Sequence, residues 1–212
     1  MAPGRRLWRS SEDGITQAGV VVTELQTTKP GIFAAGDVRD RDQFVYMAAY
    51  GAKLAARNAV LGGAERYDNT AMPWVVFTDP QVAGVGPTEA QARDAGYDVK
   101  TSVLILDNVP RALAARDTRG LIKLVADRAT DRLLGGVIIA PEGADSVQTL
   151  AMALKAGMTT KALGETIVPY LTTVEALKLA AQTLTRMSRS CRVARGEAVL
   201  YQRPLHRGRR IL

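Results

Sequence analysis

An apolar, strand-forming run that ends in a glycine and an acid is the feature that most constrains this chain. Residues 32–35 are Ile-Phe-Ala-Ala, Gly36 and Asp37 follow, and the pattern of 43–61 predicts a helix. The carboxylate of Asp37 could accept hydrogen bonds from ribose or ribityl hydroxyls, and a helix N-terminus presents free N–H groups to an electron-rich ligand. The alternative is a turn acid that caps its own loop. The segment therefore predicts part of a site for a sugar-bearing ligand.

The positive charge of the chain lies in one segment. The net charge of +7 comes from 186–212, which carries eight arginines and one acid, and the rest of the 212 residues is balanced. Such a tail favours salt-dependent, non-specific nucleic-acid binding. It has Tyr201 as its single aromatic residue and so lacks the interleaved rings that stacking needs. We expect no nucleic-acid partner.

Several other classes are excluded by what the sequence lacks. The sequence contains no run of about 20 apolar residues, so it predicts no membrane-spanning helix. We therefore expect no membrane partner. Residues 1–13 have no apolar core of a secretory signal. The single cysteine, Cys191, excludes an internal disulfide framework, and the single histidine, His206, leaves little for a histidine metal site or general base.

The sequence predicts two units joined by a linker. Before the linker we expect a loose lead (1–18), strands (20–25 and 31–35), a helix (43–61) with Asp42 as its N-cap, and a helix stop at Gly62-Gly63. After the linker (64–73) we expect strands (74–78, 81–85 and 99–106), a hairpin (121–126 with 133–139) and helices (87–95, 142–156, 159–166 and 172–185). The second unit is thus an α+β fold with an antiparallel sheet and helices.

Six ordered motifs together resemble the mercuric reductases, a group of flavoprotein pyridine nucleotide-disulfide oxidoreductases. Each motif alone is weak, but their order over about 20–183 is specific. The motifs are GIFAAGD (31–37), QFVY (43–46), AMPWVVFTDPQ (71–81), NVPRA (108–112), DTRGLIKL (117–124) and PYLTTVEALKLAAQT (169–183). The resemblance implies a remnant of an α/β FAD-binding domain (19–70), a disulfide reductase dimerisation domain (71–185) and a disordered, non-ancestral basic tail (186–212), after a non-matching lead (1–18).

The resemblance also implies a flavin site. It assigns Asp37 to the ribityl chain of FAD and places the backbone of Val45 by the flavin. It adds Gly36, Gln43 and Phe44 to the same cofactor-binding set. NADPH is the reductant that the resemblance implies for the intact enzyme.

A catalytic pair follows from the resemblance as well. Tyr170 stands where related disulfide reductases carry a histidine that serves as acid/base in the partner subunit's site, and Glu175 aligns with the acid that orients it. Mercuric reductases have tyrosine at this place, which argues against lipoamide dehydrogenase. An interface aromatic and a solvated helix charge are the respective alternatives for Tyr170 and Glu175.

The sequence departs from the family in two respects. It contains no Gly-x-Gly-x-x-Gly for FAD or NADPH and no redox-active Cys-x4-Cys, so we expect the chain alone to retain FAD weakly and to be inactive. Where the family ends in paired cysteines, this chain has Cys191, a lone thiol that could bind Hg(II) without a two-thiolate clamp.

The tail suggests a change of reading frame. One choice of codons for 186–197 spells the family ending Leu-Ser-Cys-Cys-Ala-Gly in a shifted frame. We hypothesise that translation leaves the ancestral frame near 183–185, which sequencing of the coding DNA tests.

These observations predict a C-terminal part of a cytoplasmic, FAD- and NAD(P)H-dependent oxidoreductase that reduces Hg(II) to Hg(0). The chain would pair with itself through 71–185, or with a full-length reductase. The alternatives are a non-catalytic dimerisation module and an inert pseudogene product.

Overall fold

The computed structural model divides the chain into two compact units, 1–74 and 75–212. It describes the backbone of residues 15–16, 19–20, 22–23, 25–63 and 65–190, and side chains within 25–63 and 65–185.

The first unit combines short strands with one long helix. Its elements are β1 (Ile15–Thr16), β2 (Gly19–Val20), β3 (Val22–Thr23), β4 (Gln26–Thr27), a 3₁₀ helix (Asp37–Arg39) and α1 (Val45–Leu61). β1 pairs antiparallel with β2, and β3 pairs antiparallel with β4. Leu25, Leu54 and Ala55 form a small core against which Phe33 and Tyr67 pack. β1 lies in the segment that was expected to be a loose lead.

The strands predicted in this unit are shorter in the structure. The strand predicted at 20–25 is divided between β2 and β3, which pair with different partners, and Leu25 lies outside both with a φ of +69°. The strand predicted at 31–35 is wrong, because these residues contribute a single bridge from Phe33 to Gln26. Two backbone hydrogen bonds, from Thr27 N–H to Ile32 and from Ala34 N–H to Leu25, complete a tight hairpin-like turn.

Helix α1 begins two residues later than predicted and ends as predicted. Gly62 terminates it with a φ of +64°, a conformation that glycine adopts without steric cost. The prediction that Asp42 is the N-cap is wrong, since Phe44 occupies that position. Asp42 has a φ of +50°, and its carboxylate accepts a hydrogen bond from Asn69 Nδ2 at 2.9 Å, which holds it away from the helix start.

The rest of the described chain forms one antiparallel sheet with helices. Its strands are β5 (Pro73–Val76), β6 (Gln81–Val85), β7 (Val99–Ile105), β8 (Leu121–Asp127) and β9 (Leu133–Ala140). Its helices are α2 (Glu89–Asp94), a 3₁₀ helix (Leu106–Asn108), α3 (Pro110–Ala115), α4 (Gly143–Lys155), α5 (Thr160–Glu165) and α6 (Thr173–Ser190). The five strands lie in the order β5-β6-β9-β8-β7. The predicted α+β class is confirmed.

The core lies between one sheet face and the helices α4 and α6. Ile122 and Ile138 point from the sheet into this core, and Leu150 and Leu177 fill it from the helices, all four fully buried. Burial of each such side chain stabilises the fold by about 1.5–3 kcal/mol. Val125 points to the opposite face because side chains alternate along a strand, and it packs there in a smaller cluster under α2.

Two features of this unit were not predicted. Helix α3 has six residues, too few to show a helical period, although Pro110 at its first position favours helix initiation. Helix α6 continues to Ser190, beyond the predicted end at 185 and into the segment that was expected to be disordered. None of the described helices is long and apolar enough to cross a membrane.

Candidate functional site

The predicted cofactor residues form a continuous turn that leads into α1. Gly36 has a φ of +79°, and a Cβ on it would lie 3.2 Å from the Cβ of Ala48, so this turn approaches the helix as closely as glycine allows. Asp37 begins the 3₁₀ helix that follows, and its side chain is exposed. The carboxylate of Asp37 is therefore accessible to a ligand.

The helix-entry residues place polar and aromatic groups around the start of α1. Gln43 Nε2 donates to Asp40 Oδ1 at 3.2 Å, and the ring of Phe44 stacks on that of Tyr46 with centroids 5.3 Å apart. Val45 is the first residue of α1, and its side chain is 88% exposed. The N–H groups of Val45 and Tyr46 lie ahead of the first backbone hydrogen bond that α1 makes, so these two donors can face a ligand beside an open surface.

A network beneath this turn was missed by sequence reasoning. The guanidinium of Arg39 lies over the ring of Tyr67, with Cζ 4.1 Å from the centroid. Burial, followed by the charge of Asp42 and a hydrogen bond to it, raises the pKa of Tyr67. Asp42, which also accepts from Asn69, thus ties the entry turn to the segment after α1. No local pattern could have revealed contacts between residues so far apart in sequence.

Tyr170 and Glu175 lie together at the start of α6. Tyr170 is 72% exposed, in the turn that precedes the helix. Glu175 Oε2 accepts a hydrogen bond from the backbone N–H of Leu171 at 3.1 Å, and Leu171 has a φ of +58°. Thr172 Oγ1 accepts from Glu175 N–H at 3.1 Å and donates to the carbonyl of Pro169 at 2.9 Å. Glu175 therefore fixes the peptide that follows Tyr170.

A second carboxylate near this turn, that of Glu142, was also missed. Arg111 Nη2 donates to Glu142 Oε1 at 2.9 Å, and Thr173 Oγ1 donates to Glu142 Oε2 at 3.2 Å. The hydrogen bond from Arg111, reinforced by Thr173 and the positive charge of Arg111, lowers the pKa of Glu142 despite partial burial. The motif that includes Arg111 was noticed in the sequence, but its partners could not be.

A small pocket of about 40 Å³ lies beside Glu142. Arg111 and Thr173 contribute to its wall, while Leu106, Val109 and Ala140 are among the apolar side chains that line it. Its volume is far below the several hundred Å³ of sites that hold drug-sized ligands. It does not suit a nucleotide cofactor.

The predicted metal ligand, Cys191, lies outside the described residues, as does His206. The assignment of Hg(II) binding to Cys191 therefore stays a prediction. Within the described part of the chain, no group of three His, Cys, Asp or Glu side chains could hold a metal ion.

Residues 72–181, just over half of the chain, match the family model described as pyridine nucleotide-disulphide oxidoreductase, dimerisation domain. The chain is 48% identical to the mercuric reductase of Acidithiobacillus ferrooxidans over 189 residues, which are 87% of this chain and 34% of that protein. It is 50% identical to the Streptomyces lividans mercuric reductase over 167 residues, or 78% and 35% of the two chains. The chain thus spans about a third of the length of these relatives.

Solved structures with a similar fold include a flavoprotein disulfide reductase. The HOCl-induced flavoprotein disulfide reductase RclA from Escherichia coli superposes with a TM-score of 0.69 at 30% identity, over 78% of this chain and 38% of that chain. LpdA from Mycobacterium tuberculosis superposes with a TM-score of 0.69 at 26% identity, over 76% of this chain and 35% of that chain.

Proposed function

Because the chain belongs to the pyridine nucleotide-disulphide oxidoreductase family, we propose that it contributes the dimerisation domain and part of the flavin site of a cytoplasmic enzyme that reduces Hg(II) to Hg(0). Residues 71–185 would form the dimerisation domain, and 19–70 would belong to the FAD-binding domain. The identity of 48% to a mercuric reductase supports mercury chemistry over that of other family members.

The residues of the first unit fit a flavin nucleotide. The exposed carboxylate of Asp37 would accept hydrogen bonds from ribityl hydroxyls, and the first-turn N–H groups at Val45 would donate to the electron-rich pyrimidine edge. Gly36, Gln43 and Phe44 would shape the turn around them. Bound FAD would supply the electrons for Hg(II) reduction, with NADPH as their source.

The observation that carries the catalytic assignment is the position of Tyr170. Its phenol is exposed on a turn whose backbone Glu175 fixes through Leu171. In a dimer this phenol would orient or weakly ligate Hg(II) in the partner subunit's site. Glu175 is then a positioning residue, because it acts through the backbone rather than on the metal.

We further propose that these 212 residues alone do not reduce Hg(II). They contain no Cys-x4-Cys to receive electrons from a flavin and no Gly-x-Gly-x-x-Gly for a dinucleotide. Activity would require a polypeptide that carries those elements.

The oligomeric state tests the first half of the proposal. Sedimentation equilibrium of the purified chain should give a mass of about twice the monomer value of 22.8 kDa. A mass of one chain over the whole concentration range would contradict dimerisation.

A domain exchange tests the second half. Residues 72–181 would replace the corresponding segment of the Acidithiobacillus ferrooxidans relative, which keeps its own remaining sequence. The chimera should oxidise NADPH in a manner that depends on Hg(II). A folded, flavin-loaded chimera without this activity would contradict the proposal.

A second candidate is a non-catalytic dimerisation module. The extensive core around Leu150 and Leu177 favours it, because the second unit has a hydrophobic core of its own. Mixing the chain with an intact mercuric reductase distinguishes the two. Heterodimers with reduced activity would support the module, and their absence would argue against it.

A further inference from the structure

Glu142 occupies the N-cap position of α4, but its side chain does not cap that helix. Its backbone carbonyl accepts from Ser146 N–H at 3.3 Å and from Ser146 Oγ at 3.0 Å. The N–H of Ala144 in the first turn of α4 is bonded instead by Gln81 Oε1 at 2.9 Å. The carboxylate of Glu142 is therefore available to other elements.

This carboxylate joins two further helices. Oε1 accepts from Arg111 of α3 at 2.9 Å, and Oε2 accepts from the hydroxyl of Thr173, the first residue of α6, at 3.2 Å. The side chains of Arg111 and Glu142 are 39% and 49% exposed, whereas Thr173 is 9% exposed. The Glu142 carboxylate thus connects a half-exposed ion pair with Arg111 to a mostly buried hydrogen bond at the start of α6.

The start of α6 in turn holds the loop that carries Tyr170. Thr172, adjacent to Thr173, binds the carbonyl of Pro169 through its hydroxyl, and Glu175 binds the N–H of Leu171. Pro169 and Leu171 flank Tyr170 on either side. A shift of the first turn of α6 would therefore move both anchors of this loop.

We propose that Glu142 is a positioning residue for Tyr170, which it holds in place through Thr173 and the first turn of α6. The functional meaning of this inference rests on the proposed role of Tyr170 in Hg(II) reduction. Its structural content does not depend on that role.

The expected effect is local rather than global. Ion pairs between half-exposed side chains add little to overall stability, because water already solvates both charges and screens their attraction. A hydrogen bond between a charged carboxylate and a mostly buried hydroxyl contributes more, since removal of one partner leaves the other without its bond. Loss of the Glu142 carboxylate should loosen the Tyr170 loop while the core stays folded.

Hydrogen exchange of the Leu171 amide in the full chain measures this loosening directly. NMR detection would follow this one N–H, which donates to Glu175 Oε2. Glu142→Ala should accelerate its exchange about tenfold, the size expected for loss of a hydrogen bond to a charged group. Glu142→Gln should give an intermediate rate, because its amide oxygen can still accept from Thr173.

Glu89→Ala provides the matched control. Glu89 also binds two cations, Arg93 at 2.9 Å and Lys123 at 2.7 Å, but it belongs to α2. Its removal should leave exchange at Leu171 unchanged. Unfolding midpoints in urea for all three variants identify any global destabilisation.

The outcomes separate this inference from the proposed function. Unchanged Leu171 exchange in Glu142→Ala, or equal acceleration in Glu89→Ala, would overturn the inference. Acceleration of Leu171 exchange in the Glu142 variants alone supports the inference. If Tyr170→Phe leaves Hg(II) reduction by the domain-exchange chimera unaffected, that result refutes the role of Tyr170 but not the inference.

Discussion

The carboxylate of Glu175 accepts a hydrogen bond from the backbone N–H of Leu171, with Oε2 and N 3.1 Å apart. Glu175 lies in the first turn of α6, where an acid also meets the positive end of the helix dipole. Leu171 directly follows Tyr170. The acid that the sequence suggested as an orienting group therefore orients a peptide, and the Tyr170 turn depends on the first turn of α6.

Removal of the N-cap hydroxyl should destabilise this turn. Thr172→Ala loses the bond that Thr172 Oγ1 accepts from Glu175 N–H at 3.1 Å. We expect the free energy of unfolding, measured in urea, to fall by about 1 kcal/mol. Thr172→Ser keeps the hydroxyl and should retain most of this stability, so an equal loss in both variants would refute the capping role.

The core between the sheet and α6 should respond strongly to truncation. Leu177 is fully buried, and Leu177→Ala should lower the free energy of unfolding by about 2–5 kcal/mol through lost burial and a residual cavity. Met152 on α4 is 65% exposed, so Met152→Ala should change the free energy of unfolding by less than about 0.5 kcal/mol. Similar losses in urea denaturation of both variants would contradict the described packing.

Two glycines with positive φ should differ in their tolerance of a methyl group. At Gly120, with a φ of +125°, a Cβ would lie 2.0 Å from the carbonyl oxygen of Ile139. At Gly96, with a φ of +87°, it would meet nothing within 4 Å. Gly96→Ala should lower the free energy of unfolding by about 1 kcal/mol through backbone strain. Gly120→Ala should lower it by about 2–4 kcal/mol, because steric overlap adds to the backbone strain. Equal thermal unfolding midpoints would rule out the close approach at Gly120.

An ion pair on the surface of the second unit should shape the acid response. Hydrogen bonds from Arg119, at 2.9 Å from Nε to Oδ1 and 2.7 Å from Nη2 to Oδ2, lower the pKa of Asp117 to about 2. A lowered pKa gives a stabilising contribution that is complete above the ordinary value near 3.8 and is lost as pH falls towards 2. Asp117→Asn should therefore lower the urea unfolding midpoint at neutral pH. It should also make the fall of this midpoint between pH 3.8 and pH 2 shallower than in the unaltered chain.

Arg119→Gln is the reciprocal variant for the acid response. It removes the cation that holds the Asp117 pKa down, so it should flatten the same part of the pH profile. A decline as steep as that of the unaltered chain in both variants would show that the pair does not contribute.

Much of the second unit could be predicted because its signals are local. The strands Leu121–Asp127 and Leu133–Ala140 are rich in apolar and β-branched residues on either side of a polar turn, and the structure pairs them as expected. Thr88 and Gly96 mark the start and end of α2, and Thr88 forms a capping box with Gln91. Such signals need no knowledge of distant residues.

The predictions that were wrong depended on distant partners. Asp42 has the composition of an N-cap, but its carboxylate bonds to Asn69 instead. The run around Phe33 is strand-like in composition, but its pairing depends on other segments, and the structure gives it a single bridge, to Gln26. Glu142 was placed at the start of a predicted helix, but its contacts could not be predicted, because its partners Arg111 and Thr173 come from two other helices.

The role of Tyr170 tests the account most directly. Hg(II)-dependent NADPH oxidation should be compared between the domain-exchange chimera and its Tyr170→Phe variant, with equal flavin content and equal dimer mass established for both. We predict a rate at least about tenfold lower for Tyr170→Phe, because only the hydroxyl can orient or ligate the metal. Equal rates in the two proteins would contradict the assignment of Tyr170 to the mercury site.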